Sequence, residues 1–491
     1  MKEVLKVFDK NSRHIVIIGA GPAGIAAGYE LKKQGFNNFT IIEKESAAGG
    51  TWHMQTYPGL ACDVWAHSYT FSYAPNPNWS QVFVNQSEIE AYIQQCVKQF
   101  ELGPHIQFNC RIVKAELQED KQWLLHADDN SQYLADAVIN AMGNQHTPLF
   151  PKISGMESFQ GSSWHSAQWN HDIDLSNKRV VVIGSAAAAV QIIPEIAKKV
   201  KHLSVLQRSA NWIVPRNNKP YSVFKRALFK RLPWLMIALR QLQAWMMNFV
   251  FDAVVIDSKR MTMFENMGKK FIAKAIDDEA LQALVTPDSR YGCKRPLVSD
   301  DFYPSLNRDN VRLVPCGASS INAAGVMTSD GEQIDADVIV YCTGYHVMDF
   351  DRFDVIGENG VVLAEQMFDA PQAFKGIAVP NFPNYFLGVG PNALVLSVSY
   401  YRSVEANMSS IVNLLTAMAK EGVRAIDVEK SKHDIYNDWI VDECKRFSWG
   451  SGACDNYYIN EQGHSPFLYP ANYKHFLAMR AGTILDDFKS V

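Results

Sequence analysis

At 491 residues the chain is too long for one hydrophobic core, so two or three domains are expected. Its 47% hydrophobic and 20% charged residues are ordinary for a soluble globular protein, and a net charge of −4 gives no reason to expect nucleic acid as a partner. Eight cysteines lie scattered without CxxC pairs and the start MKEVLKVFDKNSRH has no apolar leader, which argues against a metal ribbon, a disulfide scaffold or export and for a cytoplasmic location.

The first informative stretch is His14 to Ile18, a β-branched run that leads directly into Gly19-Ala20-Gly21-Pro22-Ala23-Gly24 and then a helix-like IAAGYELKKQG. This is GxGxxG in its proper setting. The first glycine permits the tight turn, the second lets backbone approach a diphosphate, and the third lets helix and strand sit close. A second strand, Phe39 to Ile42, ends in Glu43, 19 residues after Gly24, where a carboxylate can bond ribose hydroxyls. Pro22, Ala23 and Lys44 are expected to share that dinucleotide site.

Gly49 to Asp63 is too rich in glycine and proline for a helix and reads as an ordered loop. Its residues fill every fixed position of the pattern (A/G)GxWxxxx(F/Y)P(G/M)xxxD, with Gly49, Gly50, Trp52, Tyr57, Pro58, Gly59 and Asp63 in place. Here the chain resembles the Baeyer–Villiger monooxygenases, class B enzymes of the flavin-containing monooxygenase superfamily. The resemblance implies non-covalent FAD, with contacts at Gly50, Thr51, Trp52, Asp63 and Tyr69, and it sets Asp63 close to the flavin and a catalytic arginine.

An amphipathic helix is expected within 80–100, followed by strand-like segments near 105–114, 122–126 and 132–140. Val138 to Gly143 resembles the ATG strand end of flavoproteins with two dinucleotides, Met142 replacing the usual Thr. Pro148 and Pro151 mark a linker, so 1–149 is expected to form the first part of an FAD-binding domain.

Phe159, Gly161, His165 and Trp169 match the Baeyer–Villiger fingerprint FxGxxxHxxxW. Asn170 departs from the Pro or Asp usual next. The resemblance makes His165 a coordinator of domain movement and not an acid or base. A strand, Arg179 to Ile183, then gives way to Gly184-Ser185-Ala186-Ala187-Ala188-Ala189, a degenerate second glycine turn. The strand Leu203 to Leu206 leads to Arg208 and Ser209, where an NAD site would carry an acid. A guanidinium there can clamp a 2′-phosphate, which points to NADPH.

Residues 217–290 interrupt this second nucleotide fold. Lys225, Arg226, Lys230 and Arg231 precede an apolar segment broken by Arg240, Gln241, Gln243, Asn248 and Asp252, so a membrane span is rejected. A helical insert lining the substrate entrance is expected, with weak peripheral membrane contact the lesser reading.

Tyr291 to Pro296 places adjacent cations before a proline. By resemblance Arg295 stabilises a flavin peroxide anion, a task suited to a permanently cationic planar group, and Lys294 contacts the nicotinamide cofactor. Asp337 to Gly344 forms a second strand-to-TG turn, with Thr343 and Gly344 at the cofactor. It closes a 150–345 NADPH-binding domain, and 346–491 returns to the FAD domain through a strand and turn ending at Asn392, a long helix, and a substrate-side loop around Tyr457.

The expectation is therefore an α/β protein with two Rossmann-like domains and a helical insert, with no metal. The function implied is NADPH- and O2-dependent insertion of oxygen beside a ketone carbonyl, through a C4a-peroxyflavin, giving an ester or lactone. N- or S-oxygenation and a plain NADPH-dependent flavin reductase or oxidase are the alternatives. Oligomeric state is left open by the sequence.

Overall fold

The computed structural model describes residues 10–452, 456, 458–460, 463 and 465–491. Two parallel five-stranded sheets organise them. In the first, the order is Tyr385–Leu387, Ala137–Asn140, Ile15–Ile18, Phe39–Ile42, Ile106–Gln107. In the second it is Val311–Val314, His202–Leu206, Arg179–Ile183, Val338–Tyr341, Ser162–His165. Each glycine-turn strand sits at the centre of its sheet. The runs IVII and VVVI are apolar without alternation because helices and loops bury both faces.

The strand after each glycine turn lies on one side of the centre, and a strand ending at a Gly143 or Gly344 turn lies on the other. The second unit is threaded into the first, whose last strand, Tyr385–Leu387, arrives only after the second sheet is complete. The Tyr400–Glu421 helix then packs on the Pro22–Lys33 helix and ends at Gly422 with φ +69°.

Several local expectations change. The run 132–140 splits at Asp136 into Gln132–Ala135 and Ala137–Asn140, because the two halves join different sheets. Ile112–Leu117, Trp123–Ala127, Gln132–Ala135 and Asp354–Ile356 form a four-stranded sheet. Ala318–Asp335 folds as a three-stranded antiparallel meander that sequence reading missed. Within the insert, four helices run Val223–Arg231, Pro233–Phe251, Lys259–Ala275 and Glu279–Val285. No described helix is long and apolar enough to cross a membrane. The scattered cysteines build no disulfide scaffold among the described residues, yet one of them is bridged. Cys293 is disulfide-bonded, while Cys62, Cys96, Cys110, Cys316, Cys342 and Cys444 are free. Bridging depends on spatial approach of the backbone, which spacing along the chain does not reveal. Tyr457, expected on the substrate side, lies outside the described residues.

Candidate active site and nucleotide cavity

A cavity of about 1420 Å³ opens between the two sheets, the insert and the C-terminal segment. It exceeds what one drug-sized ligand needs. Gly19, Gly21, Pro22, Ala23, Glu43, Lys44, Gly50, Thr51, Trp52, Asp63 and Tyr69 line it from the first unit. Ala187 and Arg295 line it from the second.

The first glycine turn has a dinucleotide's requirements built in. The Pro22–Lys33 helix begins at Gly21, and no described side chain caps it, so its first amide groups are left for an anion. A Cβ on Gly24 would sit 1.8 Å from the Gly19 carbonyl oxygen, so only glycine fits where helix and strand cross. Glu43 is buried, and its carboxylate accepts the Ala20 N–H at 2.6 Å and the Glu45 N–H at 2.9 Å. Burial raises its pKa, and those two N–H groups oppose the rise. Trp52 Nε1 donates to the Tyr69 hydroxyl at 3.0 Å, fixing an aromatic wall. Uncapped amides, a glycine-only crossing and a buried acid at the second strand end together fit a resident dinucleotide.

The Gly49–Asp63 loop bridges the units. Tyr57 donates to Gln191 Oε1 at 3.0 Å, and Gln191 Nε2 donates to the Ala61 carbonyl at 2.9 Å. Gln191 lies on the helix that follows the second glycine turn, Ala187–Ile196. This docking brings Asp63 to the Tyr291–Pro296 segment, where Arg295 donates to Asp63 Oδ2 at 2.6 Å. Both side chains are about one-third exposed, at 35% and 29%, so the pair faces the cavity while partly shielded from water. Cys62 is buried beside it, and burial raises its thiol pKa, keeping it a protonated neighbour and no nucleophile.

Arg216 is the wall residue that sequence reading passed over. It donates to the Cys62 carbonyl at 3.4 Å and the Phe83 carbonyl at 3.2 Å, and its guanidinium lies 5.3 Å from the Phe83 ring centre. Asp300 pins that turn by accepting the backbone N–H groups of Arg216, Asn217 and Asn218 at 2.9, 2.9 and 3.1 Å. The one sequence signal was the acid pair Asp300-Asp301, whose partner lay more than eighty residues upstream.

The second unit carries the remaining expected residues on its rim. Gly184 has φ +109°, and a Cβ there would meet the Cys342 carbonyl oxygen at 2.4 Å. Ser185 and Ala186 follow it and, like Gly184, do not line the cavity. No described side chain caps the Ala187–Ile196 helix, whose N-cap is Ala186. Arg208 and Ser209 are exposed at the second strand end, and Lys294 donates to the Ser209 hydroxyl. The rim thus ties Lys294 to Ser209, the residue after Arg208, and one backbone step further Arg295 reaches the cavity. This donor set, two cations with an uncapped helix start, fits a phosphorylated dinucleotide.

Thr343 and Gly344 sit at the crossing between units. Thr343 Oγ1 donates to the Leu149 carbonyl at 2.5 Å, and the Leu149 N–H donates to the Gly344 carbonyl at 2.9 Å. His165 is fully buried against this crossing, its ring 5.8 Å from that of Tyr345 and 5.5 Å from that of Phe150. It accepts the Ala167 N–H at 3.1 Å, and burial lowers its pKa to about 4, so it is neutral at pH 7. Trp169 meets Trp164 edge-on at 5.6 Å, Phe159 packs on the second unit's core, and a Cβ on Gly161 would strike the Asp337 carbonyl oxygen. Asn392 stands apart from the cavity. Its amide is buried and donates to the Ser465 and Leu468 carbonyls at 2.9 and 2.7 Å.

A glycine turn at the centre of each sheet, with one cavity lined by the first turn and by the start of the helix after the second, fits an oxidoreductase that holds two dinucleotides. The profile described as pyridine nucleotide-disulphide oxidoreductase matches residues 16–232. The chain is 33% identical over 478 residues to a Baeyer-Villiger monooxygenase of Pseudomonas aeruginosa, covering 95% of this chain and 90% of that one. It is 33% identical over 465 residues to a Baeyer-Villiger monooxygenase of Streptomyces coelicolor, covering 94% and 89%. The crystal structure of cyclohexanone monooxygenase from Rhodococcus sp. Phi1 bound to NADP+ superimposes with a TM-score of 0.86 at 25% identity, over 97% of this chain and 98% of that one. The chain belongs to the Baeyer–Villiger monooxygenase family.

Proposed function

We propose that the protein is an FAD-dependent NADPH monooxygenase that inserts one atom of O2 beside a ketone carbonyl to give an ester or lactone. The observation that carries this reading is the Arg295–Asp63 pair, 2.6 Å apart in the cavity wall. The Gly19–Gly24 turn and Glu43 would hold FAD, which when bound would supply hydride acceptance from NADPH and activation of O2. NADPH is assigned to the second unit, its 2′-phosphate to Arg208, Ser209 and Lys294. The chain divides accordingly into 1–149, 150–345 and 346–491.

Arg295 supplies a fixed positive charge where the oxygen-bearing group develops negative charge. A guanidinium stays protonated throughout, so it stabilises an anion without donating its proton away. Asp63 holds one nitrogen of that guanidinium and thereby its orientation. Lys294, bonded to Ser209, ties the same segment to the phosphate end, so occupancy of the second nucleotide site and the position of Arg295 are mechanically linked. Tyr57, Gln191 and the Gly49–Asp63 loop keep the two units in register. The aromatic wall of Trp52 and Tyr69 excludes water, which would otherwise protonate the reacting oxygen.

Arg295→Ala tests the reading. Ester formation from a ketone panel should fall by about 10² to 10³-fold, while NADPH-driven release of hydrogen peroxide continues. Full ester formation in that variant would overturn the assignment. A sulfide panel run beside the ketones separates oxygen insertion from S-oxygenation.

A further inference from the structure

The Pro233–Phe251 helix is turned with its apolar side outward. Its buried face carries the polar Arg240 and Gln243 beside Met236, Ala244 and Phe251, while its bulkiest apolar residues face outward. Arg240 donates to the Thr70 carbonyl at 3.0 Å, and Gln243 accepts the Ser68 hydroxyl at 2.8 Å. Its outward side presents Trp234, Ile237, Leu242 and Trp245, at steps of three, five and three residues with Gln241 among them, and the two tryptophans are 60% and 66% exposed. The preceding Val223–Arg231 helix adds Val223 and Phe224, 75% and 77% exposed. A contiguous apolar face of this kind marks a contact surface.

Its charge setting is one-sided. No carboxylate lies between Arg216 and Phe251, and Lys219, Lys225, Lys230 and Arg231 of that stretch are exposed, in a chain whose net charge is −4. Lys230 and Arg231 are exposed beside Trp234. We propose that this face docks on an anionic lipid bilayer, the aromatic stripe entering the boundary between headgroups and acyl chains while the cations meet lipid phosphates. A second copy of the chain is the poorer occupant, since a self-complementary contact would set these cations against each other. With no described helix able to cross a membrane, the contact is made from the surface. Trp245 also lines the cavity, so the cavity wall and the docking face are continuous. An apolar ketone dissolved in the bilayer would enter there. That consequence rests on the proposed oxygenation, whereas the docking does not.

Flotation of the full chain with vesicles of phosphatidylcholine, with and without phosphatidylglycerol, tests the docking. The protein should float with the anionic vesicles and at least about tenfold less with the neutral ones. The triple variant Phe224→Ser, Trp234→Ser, Ile237→Ser and the pair Lys230→Glu, Arg231→Glu should each lower anionic binding by about tenfold or more, with the thermal midpoint unchanged as the control for folding. The proposal is overturned if the protein floats with neither vesicle, binds both equally, or binds as well after either set of substitutions. Light scattering that shows a dimer, dispersed by the triple variant and indifferent to vesicles, would assign the face to a second copy instead.

Discussion

The two nucleotide units share a strand order and differ in how their sites are held. In the first, the acid at the end of the second strand, Glu43, is buried and tied to two backbone N–H groups. In the second, the register sets Gln207 at that position, buried and donating to the Leu284 carbonyl at 3.0 Å, and the cation Arg208 follows one residue later, exposed at the rim. The turns differ in the same sense. Gly24 has no room for a Cβ, whereas the corresponding Ala189 is accommodated, fully buried, in the second unit. A closed, tightly fitted site suits a cofactor that stays, and an open rim suits one that must enter and leave in each turnover.

Substitution of Gly24 should break the comparison hardest. Gly24→Ala forces a Cβ into the Gly19 carbonyl oxygen, which is backbone and cannot swing aside. We expect a loss of about 3 kcal/mol or more, read as a collapsed thermal midpoint and purification without flavin absorbance. Arg208→Ala should act on the open site alone. The KM for NADPH should rise by roughly 30-fold, with kcat and the use of NADH unchanged, because a charge-assisted contact to the 2′-phosphate is removed. Equal effects on NADPH and NADH would show that Arg208 does not distinguish them.

Histidines sharpen the picture where the units meet. His165 at the crossing has its pKa lowered to about 4 by burial, against an ordinary 6.5, and His67 and His146 are also held near 4 chiefly by burial. A depressed pKa stabilises the fold above the unfolded value and is lost as pH falls through the folded one. Stability should therefore decline between pH 6.5 and 4, by about 3 kcal/mol for His165 alone. Denaturation at pH 7 and pH 4 measures it, and His165→Gln should flatten that part of the slope. The smallest effect is expected at Ala189→Gly, which restores the glycine of the first unit inside a helix and should cost about 0.5–1 kcal/mol in thermal unfolding.

The sequence was most legible where structure is local. Gly19–Gly24 and Gly184–Ala189 could be read because each is one strand, one turn and one helix start in unbroken succession. The Arg295–Asp63 pair, 232 residues apart, was reachable only through resemblance to a family whose motifs hold both ends. Arg216 and Gln191 escaped because they bond distant carbonyls, and a carbonyl carries no mark in the residue type. The Ala318–Asp335 meander escaped because its strands are short and partly polar, without a clear alternation. Asn392 shows the converse. Its family position suggested a flavin contact, yet its amide secures the backbone at Ser465 and Leu468.

The paired crossing at Leu149 and Gly344 has a modular consequence. The chain enters and leaves the second unit through two segments hydrogen-bonded side by side, with Pro148 bridged to Tyr345. The entire unit is thus a cassette with adjacent ends. Joining residue 149 directly to residue 344 would close the first sheet's connectivity without rethreading it, and a cassette of altered coenzyme preference could be exchanged at the same two points.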